Sequence, residues 1–460
     1  MYKFNFGLLA LAFVFTIIIV MNEINIMVVL PLIYILSLLI LSFSKFANFK
    51  ILKLSYEVLG FLRLVIIPFS IIISGDKFID NYPIGRSILN ESIGLIGIEY
   101  FIGALFLLLL NKIFDKNKKN HKNYKIIGST YFYSLIVLVS VILLAFFPSA
   151  RETISFLVIK TDSTGRANEN VESLDVLIRT LFQFSLLIIF IMSSYYFYLK
   201  YLNNPKIKYT IIPLILGIIN ISIIIGERRS YQIYTLLSIL AIVSILYKKH
   251  SSRINTILFL VGSIVFIGVT LYKELYIFNF SSYSQALASS DFKQTHLTDT
   301  LQSYFYGPHN VNGFIEYSKM FGLSMKDYFL DILRSTFGIN FIVPDSYLLI
   351  SQRFNLYLYD NSQMTGHLIS SSSYGYGIFG FFFPIVIIVN LSLAALVEFF
   401  LRRTNILEIY FVLFYVLMRM MFNLFSNTAQ MINHASMVLL IYGIIIIASY
   451  YSKRLLKTID

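Results

Sequence analysis

The chain contains no cysteine and no tryptophan, and it is poor in charge. Without Cys there is no disulfide framework and no thiol nucleophile or metal ligand. A metal site would fall to the 6 His and the carboxylates. Neither an HExxH run nor a paired-His spacing occurs, so neither a metal nor a cofactor is expected. Without Trp, the aromatic belt at a membrane surface must come from Tyr, of which there are 33. Only 13% of the 460 residues are charged, against 57% hydrophobic, and a water-soluble globule could not hide that much apolar surface. The chain also lacks an internal repeat, a low-complexity tract and a stretch that reads as a soluble domain.

What it does have is a succession of apolar segments, each about 20 residues long and so able to cross a bilayer as a helix. They lie near 5–21, 25–43, 52–74, 93–113, 126–147, 177–199, 209–225, 231–247, 254–272, 376–399, 405–426 and 435–451. The expected fold class is an all-α polytopic membrane protein with about 12 transmembrane helices, forming a single integral membrane domain over 1–460. The N-terminal MYKFNFGLLALAFVFTIIIVM lacks a small-residue cleavage site and is followed at once by a second apolar run. It reads as a retained first helix, not a signal peptide.

Charge orients these spans. If they alternate, the loops with Lys45, Lys50 and Lys53, then Lys112, Lys116, Lys118, Lys119, Lys122 and Lys125, fall on one side. So do Lys200, Lys206 and Lys208, then Lys248, Lys249 and Arg253, then Arg402 and Arg403, and finally Lys453, Arg454 and Lys457. The positive-inside rule makes that side cytoplasmic, with both termini there. This bias accounts for most of the net charge of +13, and no nucleic-acid partner is implied.

The opposite side then carries a segment near 273–375, far longer than an ordinary connection. It is rich in Tyr, Phe, Leu and Ile. Asp327–Phe337 has helical apolar spacing, and Phe321-Gly322 and Phe337-Gly338 have the form of helix ends. Short amphipathic helices are expected, lying on the outer membrane surface or capping a cavity.

Two constellations carry potential chemistry. Gly226-Glu227-Arg228-Arg229-Ser230 puts charge into an outer turn between two spans. Its Arg side chains offer planar forks of donors suited to phosphate oxygens; the plain alternative is a Glu–Arg pair anchoring a hairpin at the headgroups. The second runs from Gly366-His367 to Tyr374-Gly375-Tyr376-Gly377-Ile378-Phe379-Gly380 at the end of the long loop. A His at the membrane surface can act as a general base near neutral pH. Arg179 and Arg419 lie in the outer halves of their spans. Arg63 lies deeper, where an ionisable group faces a cavity or a partner, and Glu57 and Glu99 are its two candidate partners. Tyr304–Asn310 adds Tyr306 and His309, aromatic faces suited to sugar rings.

This layout resembles the O-antigen and capsule repeat-unit polymerases (the Wzy group), relatives of the O-antigen ligases. The likeness is architectural along the whole chain: many helices, a large outer loop late in the sequence, and a few spans after it. At motif level it rests on Gly226–Ser230, which resembles the family's Arg-containing segment at the outer end of a helix. It rests also on Gly366-His367 with the glycine-rich Tyr374–Gly380. Two features depart from the ligase pattern. Two Arg adjoin in the turn, leaving open which one acts, and Leu-Ile-Ser-Ser follows His367 where a Glu or Asn is common.

The resemblance implies a GT-C-like, metal-independent glycosyltransferase of the bacterial cytoplasmic (inner) membrane, acting on its outer face. Donor and acceptor would both be undecaprenyl-pyrophosphate-linked oligosaccharides, and a chain-length regulator is a further partner beside the lipid bilayer. It implies catalytic roles for His367, Arg228 and Arg229. Substrate-binding roles would fall to Arg179, Arg419, Tyr306, His309, Tyr374 and Tyr376. The competing readings are a lipid-linked oligosaccharide flippase or other transporter, a glycan ligase, and a membrane scaffold.

Overall fold

A computed structural model describes residues 2–22, 26–44, 46, 48–74, 89–114, 124–152, 154–156, 173–225, 229–277, 298, 301–359 and 368–459. The described chain is almost wholly helical, and six of its helices are long and apolar enough to cross a membrane. These are Ile26–Phe43, Lys50–Ile73, Leu89–Ile113, Leu174–Asn203, Ile385–Arg403 and Thr428–Leu455, with several shorter apolar helices beside them. The protein is a polytopic membrane protein. Its chain divides into two compact units, one of 1–120, 292–402 and 419–437 and the other of 121–291, 403–418 and 438–460.

The first unit begins with α1 (Tyr2–Asn22), α2 (Val29–Phe43), α3 (Lys50–Phe61), α4 (Ile67–Ser74) and α5 (Leu89–Ile113). Between α3 and α4 lies a π turn, Leu62–Ile66, in which Ile67 N–H reaches five residues back to Leu62 C=O. Pro68 explains the widening: it has no N–H to offer the preceding turn, and a π turn re-routes the bonds. Packing here depends on two glycines. Tyr56 and Tyr100 stack at 4.6 Å between α3 and α5. A Cβ on Gly60 would fall 2.3 Å from the Tyr100 ring, and one on Gly103 2.6 Å from the Tyr56 hydroxyl. Small residues thus let the helices close on the rings.

The long loop of this unit is a folded layer. It contains α12 (Pro308–Phe321), α13 (Met325–Ser335), α14 (Ile350–Tyr359) and α15 (Ser371–Phe379). Phe314, Tyr317, Tyr328, Ile350, Phe354, Ile369 and Tyr374 form its core together with Val386. The expected helix at Asp327–Phe337 is present two residues earlier. Ser324 and Asp327 form a capping box that starts it, and Ser324 N–H in turn donates to the Asp327 carboxylate. The end at Phe321-Gly322 is present too, with Gly322 at φ +58°, a left-handed conformation that only glycine adopts freely. One boundary differs. The span expected at 376–399 begins at Ile385, as α16 (Ile385–Arg403). Gly380, at φ +57°, ends α15, and a 3-10 turn and Pro384 intervene.

The second unit holds α6 (Thr130–Phe146), α7 (Pro148–Glu152), α8 (Ser173–Asn203), α9 (Ile211–Ser222), α10 (Arg229–Leu246) and α11 (Ser251–Ile277). Two helices, α17 (Leu407–Phe422) and α18 (Thr428–Ile459), carry the chain from one unit into the other. A small antiparallel ribbon breaks the helical pattern: β1 (Ile154–Phe156) pairs with β2 (Ile223–Ile225). The span expected at 209–225 therefore ends as helix at Ser222. Its last three residues, Ile-Ile-Ile, take the extended form that β-branched side chains favour when a partner strand is at hand.

Gly60→Val is expected to lower stability by roughly 1–3 kcal/mol through overpacking against Tyr100. Gly94→Ala, whose Cβ meets nothing within 4 Å, should not. Thermal unfolding in detergent checks both.

Candidate functional site

The densest polar centre of the first unit is built on Arg63, in the π turn, with its side chain wholly buried. Burying a guanidinium without partners is prohibitive, and every one of its nitrogens is engaged. Nη1 donates to Glu99 Oε2 at 2.6 Å and Nε to the Tyr306 carbonyl at 3.0 Å. Nη2 reaches the hydroxyls of Ser370 at 2.8 Å and Ser372 at 3.3 Å. The guanidinium lies 4.9 Å from the centre of the Phe425 ring. The second Glu99 oxygen accepts from the Ser371 hydroxyl. Of the two candidate partners for Arg63, Glu99 is the one chosen; Glu57 pairs with Lys53 at 3.2 Å.

This centre ties both ends of the ordered loop to the helices. Tyr306 has a positive φ of 56°, costly for a residue with a side chain, and its carbonyl is held by Arg63. At the other end, Ser371 N–H donates to Phe425 C=O at 2.8 Å and Asn427 N–H to Ile369 C=O at 3.0 Å. Asn310 joins the two ends directly, donating to Leu368 C=O at 2.8 Å. Ser370, Ser371, Ser372 and Ser373 are all buried, and Ser370 caps α15. Chemically this is a closed ion pair that fixes a shape.

A second buried centre lies within the loop. The Asp331 carboxylate accepts from Tyr374 OH at 2.9 Å, Tyr347 OH at 3.0 Å and Ile350 N–H at 3.1 Å. Arg353 stands nearby, bonded to Asp327 at 2.8 Å. Burial raises the Asp331 carboxyl to about 6, against the lowering effect of these donors and of Arg353. Reasoning from the sequence did not single out Asp331. The signal available was an acid on the inward stripe of α13, flanked there by buried Tyr328 and Ser335.

The expected site residues distribute as follows. His367 and Arg228 lie outside the described residues. Arg229 opens α10, its side chain likewise undescribed. Tyr306 and Tyr374 are buried at the two polar centres just described. Tyr376 is half-buried and hydrogen-bonds Glu91, which also pairs with Lys319 at 2.7 Å. His309 is buried, and desolvation alone lowers its pKa to about 3, so its ring stays neutral at physiological pH. Arg419 is buried near the end of α17, and its carbonyl accepts from Asn423 at 2.9 Å.

Arg179 belongs to the second unit. The β1–β2 ribbon packs through Ile154 and Ile223 on Phe182 and Leu186 of α8, and Asn220 donates to Leu186 C=O at 3.3 Å. Chain direction in β2 is therefore opposite to that in α8. Arg179, half-buried one turn before Phe182, lies toward the end at which β2 runs on to Gly226. Gln183, Asn220 and Thr235 add polar groups to a small, partly enclosed cavity that Ile223 also lines. Among the described residues no three His, Asp or Glu side chains gather as a metal would require.

Comparison with known protein families, with curated proteins and with solved structures finds no match.

Arg63→Leu and Glu99→Leu should each cost roughly 3–5 kcal/mol, because each leaves a buried charge alone; the double variant should recover much of the loss. Chemical unfolding of the purified variants reads this directly. Asp331 gives a pH signature. Its carboxyl is raised in the folded state, so its stabilising contribution is full below the ordinary value of 3.8 and is lost as pH rises to about 6. Amide exchange in α13 and α14, corrected for intrinsic chemistry, should quicken over that window, and Asp331→Asn should flatten the slope.

Proposed function

We propose that this chain is a membrane-embedded glycosyltransferase that joins undecaprenyl-pyrophosphate-linked oligosaccharide units on the outer face of a bacterial cytoplasmic membrane, as a Wzy-type polymerase does. On this reading about 12 helices span the bilayer, both termini are cytoplasmic, and the ordered segment 301–359 belongs to the outer loop. The observation that carries the reading is the placement of Arg179. It lies on the face of α8 that carries Phe182 and Leu186, on which Ile154 and Ile223 of the ribbon pack. The sequence adds Arg228 and Arg229 shortly after β2, and guanidinium forks suit the oxygens of a lipid-linked pyrophosphate.

The chemistry is a displacement at the anomeric carbon of the donor glycan. The bond to pyrophosphate breaks, and a hydroxyl of the acceptor glycan forms the new bond. Arg228 or Arg229, with Arg179, stabilises the negative charge that grows on the leaving pyrophosphate, an effect worth roughly 10²–10³ in rate per donor by analogy with oxyanion sites. His367 accepts the proton of the attacking hydroxyl. Arg419 is a further candidate for the anionic headgroup. Tyr306, Tyr374 and Tyr376 belong to the loop that orients glycan. The folded core of that loop supports the orienting role, because positioning needs a rigid scaffold.

Surface glycan from cells lacking the gene, run on a gel with and without complementation, tests the activity. Chains of a single repeat unit, restored to a ladder by the gene, are expected. Loss of every repeat unit from the acceptor would point to ligation or flipping instead, and an unchanged ladder would end the reading. With purified protein, Arg228→Ala or Arg229→Ala should slow polymerisation by about 10²–10³. His367→Ala should lose turnover while still binding the lipid-linked donor.

A further inference from the structure

Segments of the first unit that do not cross the membrane still present large apolar side chains outward. Two turns stand out. In the 3-10 turn Asn340–Ile342, Phe341 is 79% and Ile342 61% exposed. In Gly380–Phe382, Phe381 is 88% and Phe382 66% exposed. Ile444, within the membrane-crossing helix Thr428–Leu455, is 58% exposed. The two turns are therefore at least as bare as a surface made to face acyl chains. Neither carries charge: Ser335–Pro344 contains no ionisable side chain, and neither does Gly377–Val397.

Their depth follows from neighbouring helices. Tyr328 OH meets Thr428 Oγ1, at the first residue of α18, at 3.3 Å. Phe337 N–H donates to Ser436 Oγ, eight residues on, at 2.9 Å. Helix α13 thus descends beside α18 over about 12 Å. The span Thr428–Leu455 has 28 residues and is about 42 Å long. That matches a bilayer with both headgroup layers, about 40–45 Å, of which about 30 Å is hydrocarbon. Each headgroup layer then takes about 6 Å, and Ser436 already lies beyond it. Phe341 and Ile342 come four and five residues after Phe337, before the chain returns to Arg334 at Val343. The neck of the excursion is polar: Arg334 bonds Val343 C=O at 3.2 Å and Asp345 at 2.7 Å, so charge returns where the chain climbs back. Gly380–Phe382 is shallower. The span Ile385–Arg403 has 19 residues, about 28 Å of helix and so one hydrocarbon thickness. Ile385 then marks the boundary, and Phe381 and Phe382 lie just outside it, where amphipathic and aromatic residues collect.

We propose that Asn340–Ile342 and Gly380–Phe382 are two wedges set into the adjacent lipid leaflet, the first among the upper acyl chains and the second at the headgroup boundary. Their partner is the phospholipid bilayer itself. They fix the depth of the α12–α15 layer, so the loop sits partly in the membrane. This goes beyond the glycosyltransferase reading and stands or falls independently of it.

The absence of Trp makes a direct test. Single-Trp variants Phe341→Trp, Phe381→Trp and, as a mid-span reference, Ile444→Trp are placed in phosphatidylcholine–phosphatidylglycerol vesicles whose acyl chains are brominated at defined depths. Phe341→Trp should fluoresce as an apolar indole and be quenched by chain bromines about as strongly as Ile444→Trp. Phe381→Trp should respond most to bromine nearest the headgroup. Ile342→Trp and Phe382→Trp report the same two turns should either first variant fail to fold. Quenching by aqueous acrylamide with no response to bromine overturns the proposal. So does an apolar emission that neither quencher touches, because the turns would then be covered by protein.

Discussion

A guanidinium at membrane depth must be fully paired, and the first unit is arranged around meeting that demand for Arg63. Its three nitrogens reach three different segments, Glu99 in α5, Tyr306 at the start of the ordered loop and the serines that open α15, and the guanidinium faces the Phe425 ring of a fourth. None of these partners is interchangeable with water, since none is accessible to it. The pair is weak evidence for stability as such, because desolvation consumes most of the Coulombic gain. Its consequence is geometric. Two chain segments more than sixty residues apart in sequence are held at one point, and the unfavourable backbone of Tyr306 is retained with its carbonyl bonded to the buried Arg63 guanidinium.

The same rule recurs at helix ends. The four leading N–H groups of a helix need acceptors, and at α3 a carboxylate supplies two of them from distant sequence. Glu398 accepts from Ile51 and Leu52 N–H at the start of α3. Glu408 accepts from Ile127 and Gly128 N–H just ahead of α6. Glu398 thereby meets the positive end of the α3 dipole, and Glu408 satisfies loop N–H groups that would otherwise be buried without partners. Both acids are buried.

Order in the long loop has a different origin. It rests on an aromatic core of its own, on the capping box at Ser324–Asp327, and on a buried acid, Asp331, that gathers α14 and α15 through three donors. A layer so built keeps one shape. The raised Asp331 carboxyl makes the stability of this layer fall as pH rises to about 6.

Helix positions were legible from sequence because a twenty-residue apolar run in a bilayer has few alternatives to a helix: its backbone must satisfy itself. The same reasoning located the helices at Phe321-Gly322 and Asp327–Phe337, and it marked Arg63 as a residue needing a partner. It misplaced the start of the span at 376, since Gly380 reads as one more small residue of a helix until its positive φ is known. It missed β1 and β2, because an Ile run suits helix and strand alike and only the arrival of Ile154–Phe156 decides between them. Sequence alone thus determined the class of the protein, the run of its helices and the residues whose burial would be costly. Only the tertiary structure decided that Arg63 takes Glu99 over Glu57, that Asp331 is an inward acid, and that Ile223–Ile225 pairs with Ile154–Phe156. Those are choices among long-range partners, set by which side chains packing brings within a few ångströms, and no local periodicity encodes them.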